Sequence, residues 1–437
     1  MYLQIGIISA VMVGTYSLAK WKKLSVEISM LLAAVAGGIA GAIENPPPAS
    51  QLIRHLVEGA FTYLDVILVF STATIFMAIV SESGGVNYIV RGTIKHFFNK
   101  RIIVLILLMI IILIPGALTG AGSVSLLVVG APVALALGYL GISIKRVAAI
   151  LFIVAGLSAA APPVNIWAMI LCAGTAIPYV GFEVPLGIPV LLLGTFTVLF
   201  LGWKRERKMD LEEVLKEMPE VPAKMSWWRM LLPFLVFFGL VIAYRIWPFS
   251  TPIMGLPLQF SVAALVALFV SPKKINILVL SRETMKRLLP LLGTMVIVGM
   301  LQQIMTVTGV RGLISFAVIS IPLVLLYILL IIIIPVSEGV LTYGAAAILG
   351  IPLVWFLDSI GLHATVVIAG LSILWPLGDG LPPTALIGRL SVMVSEYKES
   401  YWSFLRSTWV PWILVTLVGI LLIIFSARLE FLVRWSM

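Results

Sequence analysis

Apolar residues run along this chain in blocks of membrane-spanning length, separated by short polar or basic intervals. The first block covers residues 2–19 and is closed by Lys20-Trp21-Lys22-Lys23; the second covers 26–43. Glu44-Asn45-Pro46-Pro47-Pro48 cannot continue a helix, and a third span is expected at 57–82. Residues 87–101 mix bases with aromatics at helical spacing, which predicts an interfacial amphipathic arm. Two apolar stretches then flank the glycine-rich turn Thr119–Ser123, so residues 102–140 read as a re-entrant hairpin with its tip at membrane depth. Non-helical backbone survives there only when it is buried in protein or faces a watery cavity. A span over 145–173 is broken at Ser158–Pro163, and a last span of this half covers 186–202.

The second half follows the same plan. Scaffold spans are expected within 230–308 (230–247, 255–271 and 288–308), then a hairpin over 312–360 with arms 312–334 and 344–360 and its tip at Ser337–Thr342. A broken helix over 364–397 follows, with the break at 378–384, and a final span at 408–425. The halves also share register. A shift of 220 residues carries Pro115, Pro132, Pro162 and Pro163 onto Pro335, Pro352, Pro382 and Pro383, and Gly130 and Gly141 onto Gly350 and Gly361. With 25 prolines in the chain, a random shift would match about one pair, so the pattern reads as a duplication of residues 1–210 in 211–437.

Composition agrees with this class. Charged residues are 11% of the chain, against about 25% in soluble domains. The fold class expected is an all-α polytopic membrane protein of two repeats, each with about five transmembrane helices, one re-entrant hairpin and one broken helix. The net charge of +10 does not indicate nucleic acid, because the bases fall between apolar blocks. With the N-terminus outside, 24 of the 29 Lys and Arg lie on the cytoplasmic side; Arg54, Arg245, Arg311, Arg428 and Arg434 do not. Five crossings per half make the repeats inverted in topology and put both termini outside. Tyr2–Ala19 lacks a basic segment before it and reads as a retained span rather than a signal peptide. The single cysteine, Cys172, forms no intrachain disulfide.

Candidate chemistry concentrates where the helices break. A helix interrupted at mid-membrane exposes N–H groups at one new end, suited to a carboxylate, and carbonyls at the other, suited to a dehydrated Na⁺. Pro162, Pro163, Pro382 and Pro383 impose such breaks. Around them stand Thr119, Gly120, Ser123 and Ser125 at the first hairpin tip, Ser337, Glu338 and Thr342 at the second, and Asn165, Asp379 and Thr384 beside the breaks. Ser123, Asn165, Glu338 and Asp379 are the residues expected to hold Na⁺ if Na⁺ is the coupling ion. Intramembrane carboxylates are costly and by default functional, and neither Glu338 nor Asp379 has an acidic counterpart 220 residues earlier. Gln302-Gln303 are expected to bridge helices, Arg389 to anchor at an interface, and Asp65 to be a helix-packing or cavity-facing polar residue or a proton site. His55, His96 and His363 have no ligand spacing, and no phosphate-binding glycine loop is present, so no metal centre, other cofactor or ATP hydrolysis is expected.

Gly116-Ala117-Leu118-Thr119-Gly120-Ala121-Gly122-Ser123-Val124, Gly130-Ala131-Pro132 and Ala161-Pro162-Pro163 carry a family resemblance in the first half. Gly339-Val340-Leu341-Thr342, Gly350-Ile351-Pro352, Ser359-Ile360-Gly361-Leu362 and Leu381-Pro382-Pro383 carry it in the second. In their order and spacing the chain resembles the ion transporter superfamily, most of all the large membrane subunit of tripartite ATP-independent periplasmic (TRAP) transporters. The resemblance implies an elevator-type secondary transporter of small organic anions such as carboxylates, driven by Na⁺ or H⁺, in the inner membrane of a prokaryote. It also implies a homodimer and, for a TRAP system, a small membrane subunit and a soluble substrate-binding protein. Related dicarboxylate/sodium symporters carry Ser-Asn-Thr at both hairpin tips, where this chain has Gly122-Ser123-Val124 and Ser337-Glu338-Gly339. An inorganic ion transporter or Na⁺/H⁺-type antiporter without organic substrate is the alternative; no enzymatic activity is expected.

Overall fold

The apolar blocks fold as helices because a backbone in lipid must satisfy its own N–H and C=O groups. The structure, a computed structural model, describes residues 2–44, 49–204, 212, 215–216, 218–247 and 254–434. Among these, every regular element is helical. The first half comprises α1 (Tyr2–Trp21), α2 (Val26–Glu44), α3 (Ala49–Phe61), α4 (Leu64–Glu82) and α5 (Gly85–Phe97). It continues with α6 (Arg101–Thr119), α7 (Gly122–Tyr139), α8 (Ile144–Ala160), α9 (Ile166–Thr175) and α10 (Glu183–Gly202). The second half comprises α11 (Trp227–Ile246), α12 (Leu256–Val270), α13 (Ile277–Val307), α14 (Val310–Ser320), α15 (Leu323–Leu341) and α16 (Ala346–Ser359). It ends with α17 (Ala364–Gly378), α18 (Leu386–Val394), α19 (Tyr401–Ser407), α20 (Trp409–Ile424) and the short α21 (Phe431–Arg434). Eight of the described helices are long and apolar enough to cross a membrane, or nine if α19 and α20, bent by 56°, count as one span. Their outward side chains are apolar, Leu192 at 66% exposure and Ile332 at 61% among them, as lipid requires. The protein is an integral membrane protein.

Several boundaries differ from the sequence expectation for local reasons. The third span, expected at 57–82, is two helices that meet at Thr62-Tyr63. The amphipathic arm ends at Phe97 rather than 101, because Arg101 starts α6, donating its guanidinium to the Gly202 carbonyl (2.6 and 3.0 Å) and the Leu140 carbonyl (2.7 Å). α13 begins at Ile277, not 288, because Asn276 caps it by accepting from the Val279 N–H (3.2 Å). The arm expected at 312–334 is α14 plus the start of α15: Pro322 disfavours helical geometry at Ile321, which is extended (φ −84°, ψ 129°). α15 therefore runs on to Leu341, so Ser337 and Glu338 lie in its last turns rather than in the hairpin turn. The turn at Asn45–Pro48, the basic run 205–208, the boundary between halves at 210 and 211, and the Arg245 side chain lie outside the described residues.

Two packed groups result. α1–α4 with α11–α13 form one, and the hairpins α6–α7 and α15–α16 with α8–α10 and α17–α20 form the other. Lipid tails are as apolar as the side chains, so helices associate here through close packing rather than through a hydrophobic drive. α17 and α20 approach so closely that a Cβ on Gly370 would come 2.7 Å from the Gly419 carbonyl oxygen. In the first group Phe237 stacks on Phe260 at 4.3 Å, joining α11 to α12.

The 220-residue register seen in the prolines reappears in the backbone. π-turns cover Leu126–Gly130 in α7 and Ala346–Gly350 in α16, α8 and α17 start at 144 and 364, and α9 and α18 start at 166 and 386. The Pro162-Pro163 and Pro382-Pro383 bonds are both cis.

Candidate functional site

Each hairpin meets its neighbouring break by a similar backbone contact, with the acceptor two residues later in the second half. The Val164 N–H donates to the Ala117 carbonyl (3.0 Å), and the Thr384 N–H donates to the Gly339 carbonyl (3.2 Å), which also accepts from Thr384 Oγ1 (2.9 Å). At the first tip Gly120 is left-handed (φ 71°), and Gly122 lies against α8, where a Cβ would strike the Ala155 carbonyl oxygen. Pro115 interrupts the helical ladder of α6, and nearby carbonyls are served by side chains. Thr119 Oγ1 donates to the Pro115 carbonyl (2.7 Å), and Ser125 Oγ donates to the Ile112 carbonyl. Ser123 opens into a cavity.

The breaks are built from both side chains and backbone. Fully buried Asn165 caps α9: its Oδ1 accepts from the Ala168 N–H (2.9 Å), while its Nδ2 donates to the Ala160 carbonyl (3.0 Å) across the gap left by Pro162 and Pro163. The Asn165 N–H donates to Tyr179 Oη (3.0 Å), which itself donates to the Pro163 carbonyl (3.1 Å). In the second half Ala385 stands in the Asn165 position and adopts the left-handed region (φ 46°). There the Gly388 N–H donates to the Asp379 carbonyl (3.1 Å), Tyr401 Oη to the Gly380 carbonyl (2.8 Å), and Arg389 Nη2 to the Pro383 carbonyl (3.0 Å).

At the second tip Ser337 Oγ donates to the Ile334 carbonyl (2.7 Å). Thr342 takes φ 53°, a conformation β-branched residues rarely accept. Glu338 is 1% exposed, and its Oε2 is enclosed with no hydrogen-bond partner among the described residues. The Trp167 indole lies beside it, also without a hydrogen bond of standard geometry, and Asp379 is its charged neighbour. Tyr343 ties the two hairpins together. Its ring packs on Trp167 at 5.1 Å, and its hydroxyl reaches the Gly120 carbonyl at 3.5 Å.

A cavity of about 540 Å³ lies between the two packed groups, a volume typical of a small-molecule site. The scaffold contributes Glu27 of α2, Thr74 and Glu82 of α4, and Glu283, Arg287 and Thr294 of α13. Opposite stand Ser123, Thr342, Asp379 and Thr384, four of the residues singled out in the sequence. Thr119, Ser125, Ser337 and Asn165 instead hold the hairpins and breaks together, and the four prolines shape the breaks. Glu338 sits behind the cavity wall. Gln302 bridges helices as expected, accepting from the Tyr63 hydroxyl, while Asp65 is exposed at the start of α4. Trp167 and Tyr343 escaped the sequence reading because aromatics inside apolar runs look like ordinary core. No group of three His, Cys, Asp or Glu able to hold a metal ion occurs among the described residues.

Two helix N-termini converge on this cavity. α7 starts at Gly122-Ser123 and α18 at Leu386-Ile387, and a Cβ on Gly122 would lie 2.7 Å from Ile387 Cδ1. The N–H groups of these four residues have no hydrogen-bond partner among the described residues. Such ends carry partial positive charge and free donors, a setting for an anion.

The fold is shared with solved transporters. The YdaH transporter of Alcanivorax borkumensis, described as having an unusual topology, superposes with a TM-score of 0.57 at 14% identity, over 88% of this chain and 89% of that one. MtrF of Neisseria gonorrhoeae, described as illuminating a class of antimetabolite efflux pumps, superposes with a TM-score of 0.55 at 13% identity, over 86% and 84%. No protein-family model matches the sequence, and no curated protein is significantly similar to it. The chain has the fold of these membrane transporters.

Proposed function

We propose that the protein is a cation-coupled secondary transporter of small organic anions that works by alternating access. One observation carries this reading: a cavity between two packed groups of helices, with two helix N-termini and a carboxylate, Asp379, on the same wall. The N-termini suit the carboxylate of a substrate, and Asp379, with Glu338 behind it, suits the coupling cation, Na⁺ or H⁺. In this scheme the hairpins and broken helices move as an elevator against α1–α4 and α11–α13, and the two halves are inverted repeats. In this scheme the charge bias supports a cytoplasmic position for the cavity mouth, lined by Glu82 and Arg287, and hence an inward-facing conformation.

Uptake of labelled organic acids into proteoliposomes under imposed Na⁺ or pH gradients tests the proposal; absence of substrate-dependent flux under both would sink it. A second reading, favoured by the order of the Pro/Gly motifs, makes the chain the permease subunit of a TRAP system. Transport by this chain alone would argue against that reading.

A further inference from the structure

The lining of the cavity is uneven in a way that selects among organic anions. The anion-binding end consists of the α7 and α18 N-termini and the Ser123 side chain, which is 9% exposed, faces the cavity and has no protein partner among the described residues. The walls leading away from it are aliphatic: Leu127, Val128, Leu288, Leu291 and Leu390. Among the described residues the far end carries Glu27, Glu82 and Glu283 against one base, Arg287. Glu27 accepts from Thr294 Oγ1 (3.1 Å), and Glu283 pairs at 3.2 Å with Lys286, which does not line the cavity. A second negative charge on the cargo would leave the donors behind, cross apolar wall and meet three carboxylates. Glu82 and Glu283 are exposed at the mouth and Glu27 is half-buried, so they repel a like charge through partial screening, and a charge against the apolar wall loses its hydration. A singly charged molecule with an apolar body meets neither penalty.

We infer that the cavity takes a monocarboxylate carrying an apolar body and excludes dicarboxylates. This rests on the transporter reading and narrows its substrate class. The carboxylate sits on the N–H groups of Gly122, Ser123, Leu386 and Ile387 with the Ser123 hydroxyl, and the apolar body lies along the leucine wall. Asp379 stands near the carboxylate, so the coupling cation bound there and the cargo neutralise each other.

The test is binding to the purified full-length protein in detergent, read by thermal shift and by tryptophan fluorescence. Benzoate and octanoate are the monocarboxylate probes, succinate and glutarate the dicarboxylates, and benzamide and benzylamine the neutral and cationic controls. Saturable stabilisation by benzoate or octanoate is expected, with succinate and glutarate at least tenfold weaker and benzamide and benzylamine inactive. Ser123→Val is expected to weaken benzoate several-fold. Should that variant not fold, Glu82→Gln with Glu283→Gln at the cavity mouth serves instead, and is expected to raise succinate affinity several-fold. Equal or tighter binding of succinate, binding of benzamide as strong as benzoate, or no gain for succinate in the double variant would each overturn the inference. Benzoate binding without uptake in proteoliposomes would leave it standing and remove the transporter reading; uptake of succinate would do the reverse.

Discussion

Asn165 offers a sharp test of how the first break is held. Its side chain is fully buried and uses both ends, capping α9 through Ala168 and clasping the end of α8 through Ala160. Asn165→Ala removes the cap, worth about 1 kcal/mol, and leaves the buried Ala160 carbonyl without its donor, at about 1–3 kcal/mol. The sum, about 2–4 kcal/mol by those figures, is a large share of a fold's margin. Asn165→Asp keeps an acceptor for Ala168, loses the donor to Ala160 and buries a charge, so it is expected to be worse than alanine. Unfolding of the three proteins in one detergent, followed by intrinsic fluorescence, measures this. A clear drop in the melting transition is expected for both variants, ordered wild type, Asn165→Ala, Asn165→Asp. Melting of Asn165→Ala indistinguishable from wild type, together with altered Na⁺ dependence of uptake, would refute the clasp and make Asn165 an ion ligand instead.

Other consequences follow from single contacts. Gly122→Ala places a methyl against the Ala155 carbonyl oxygen and is expected to cost about 1–3 kcal/mol by overpacking, read as a lower melting temperature and reduced uptake. Tyr63→Phe strands the buried Gln302 side chain, at about 1–3 kcal/mol, with the loss seen in the same melt. Cys172, 4% exposed, is expected to resist a maleimide in the folded protein and to label rapidly in sodium dodecyl sulfate; rapid labelling of native protein would contradict its burial.

Much of this architecture was legible in the residues because proline and glycine act locally. The breaks after Ala160 and Gly378 fall where Pro162-Pro163 and Pro382-Pro383 forbid continuation, and the hairpin arms are plain apolar runs. Pro322 also announced the split between α14 and α15, but the surrounding leucines and isoleucines hid it inside one hydrophobic block. The π-turns at 126–130 and 346–350 leave no composition signal, since they depend on backbone hydrogen-bond spacing set by packing. The site was legible only in part. Hydroxyls marked segments that reach the cavity, yet Thr119, Ser125 and Ser337 donate to neighbouring carbonyls, a choice that chain geometry makes and residue type does not. The scaffold wall of the cavity, with Glu82, Glu283 and Arg287, has no signature in the sequence because the residues it faces lie far away along the chain.

Coupled transport, as proposed, runs through the cavity that Ser123, Thr342, Asp379 and Thr384 share with α2, α4 and α13. Its most direct test is uptake of a labelled panel of organic acids by proteoliposomes containing this chain alone, with an imposed Na⁺ or pH gradient and with Asp379→Asn as control. Concentrative uptake of at least one acid under one gradient is expected, lost when the gradient is collapsed and lost in Asp379→Asn. Uptake that merely equilibrates, or that continues against the gradient in Asp379→Asn, would contradict it.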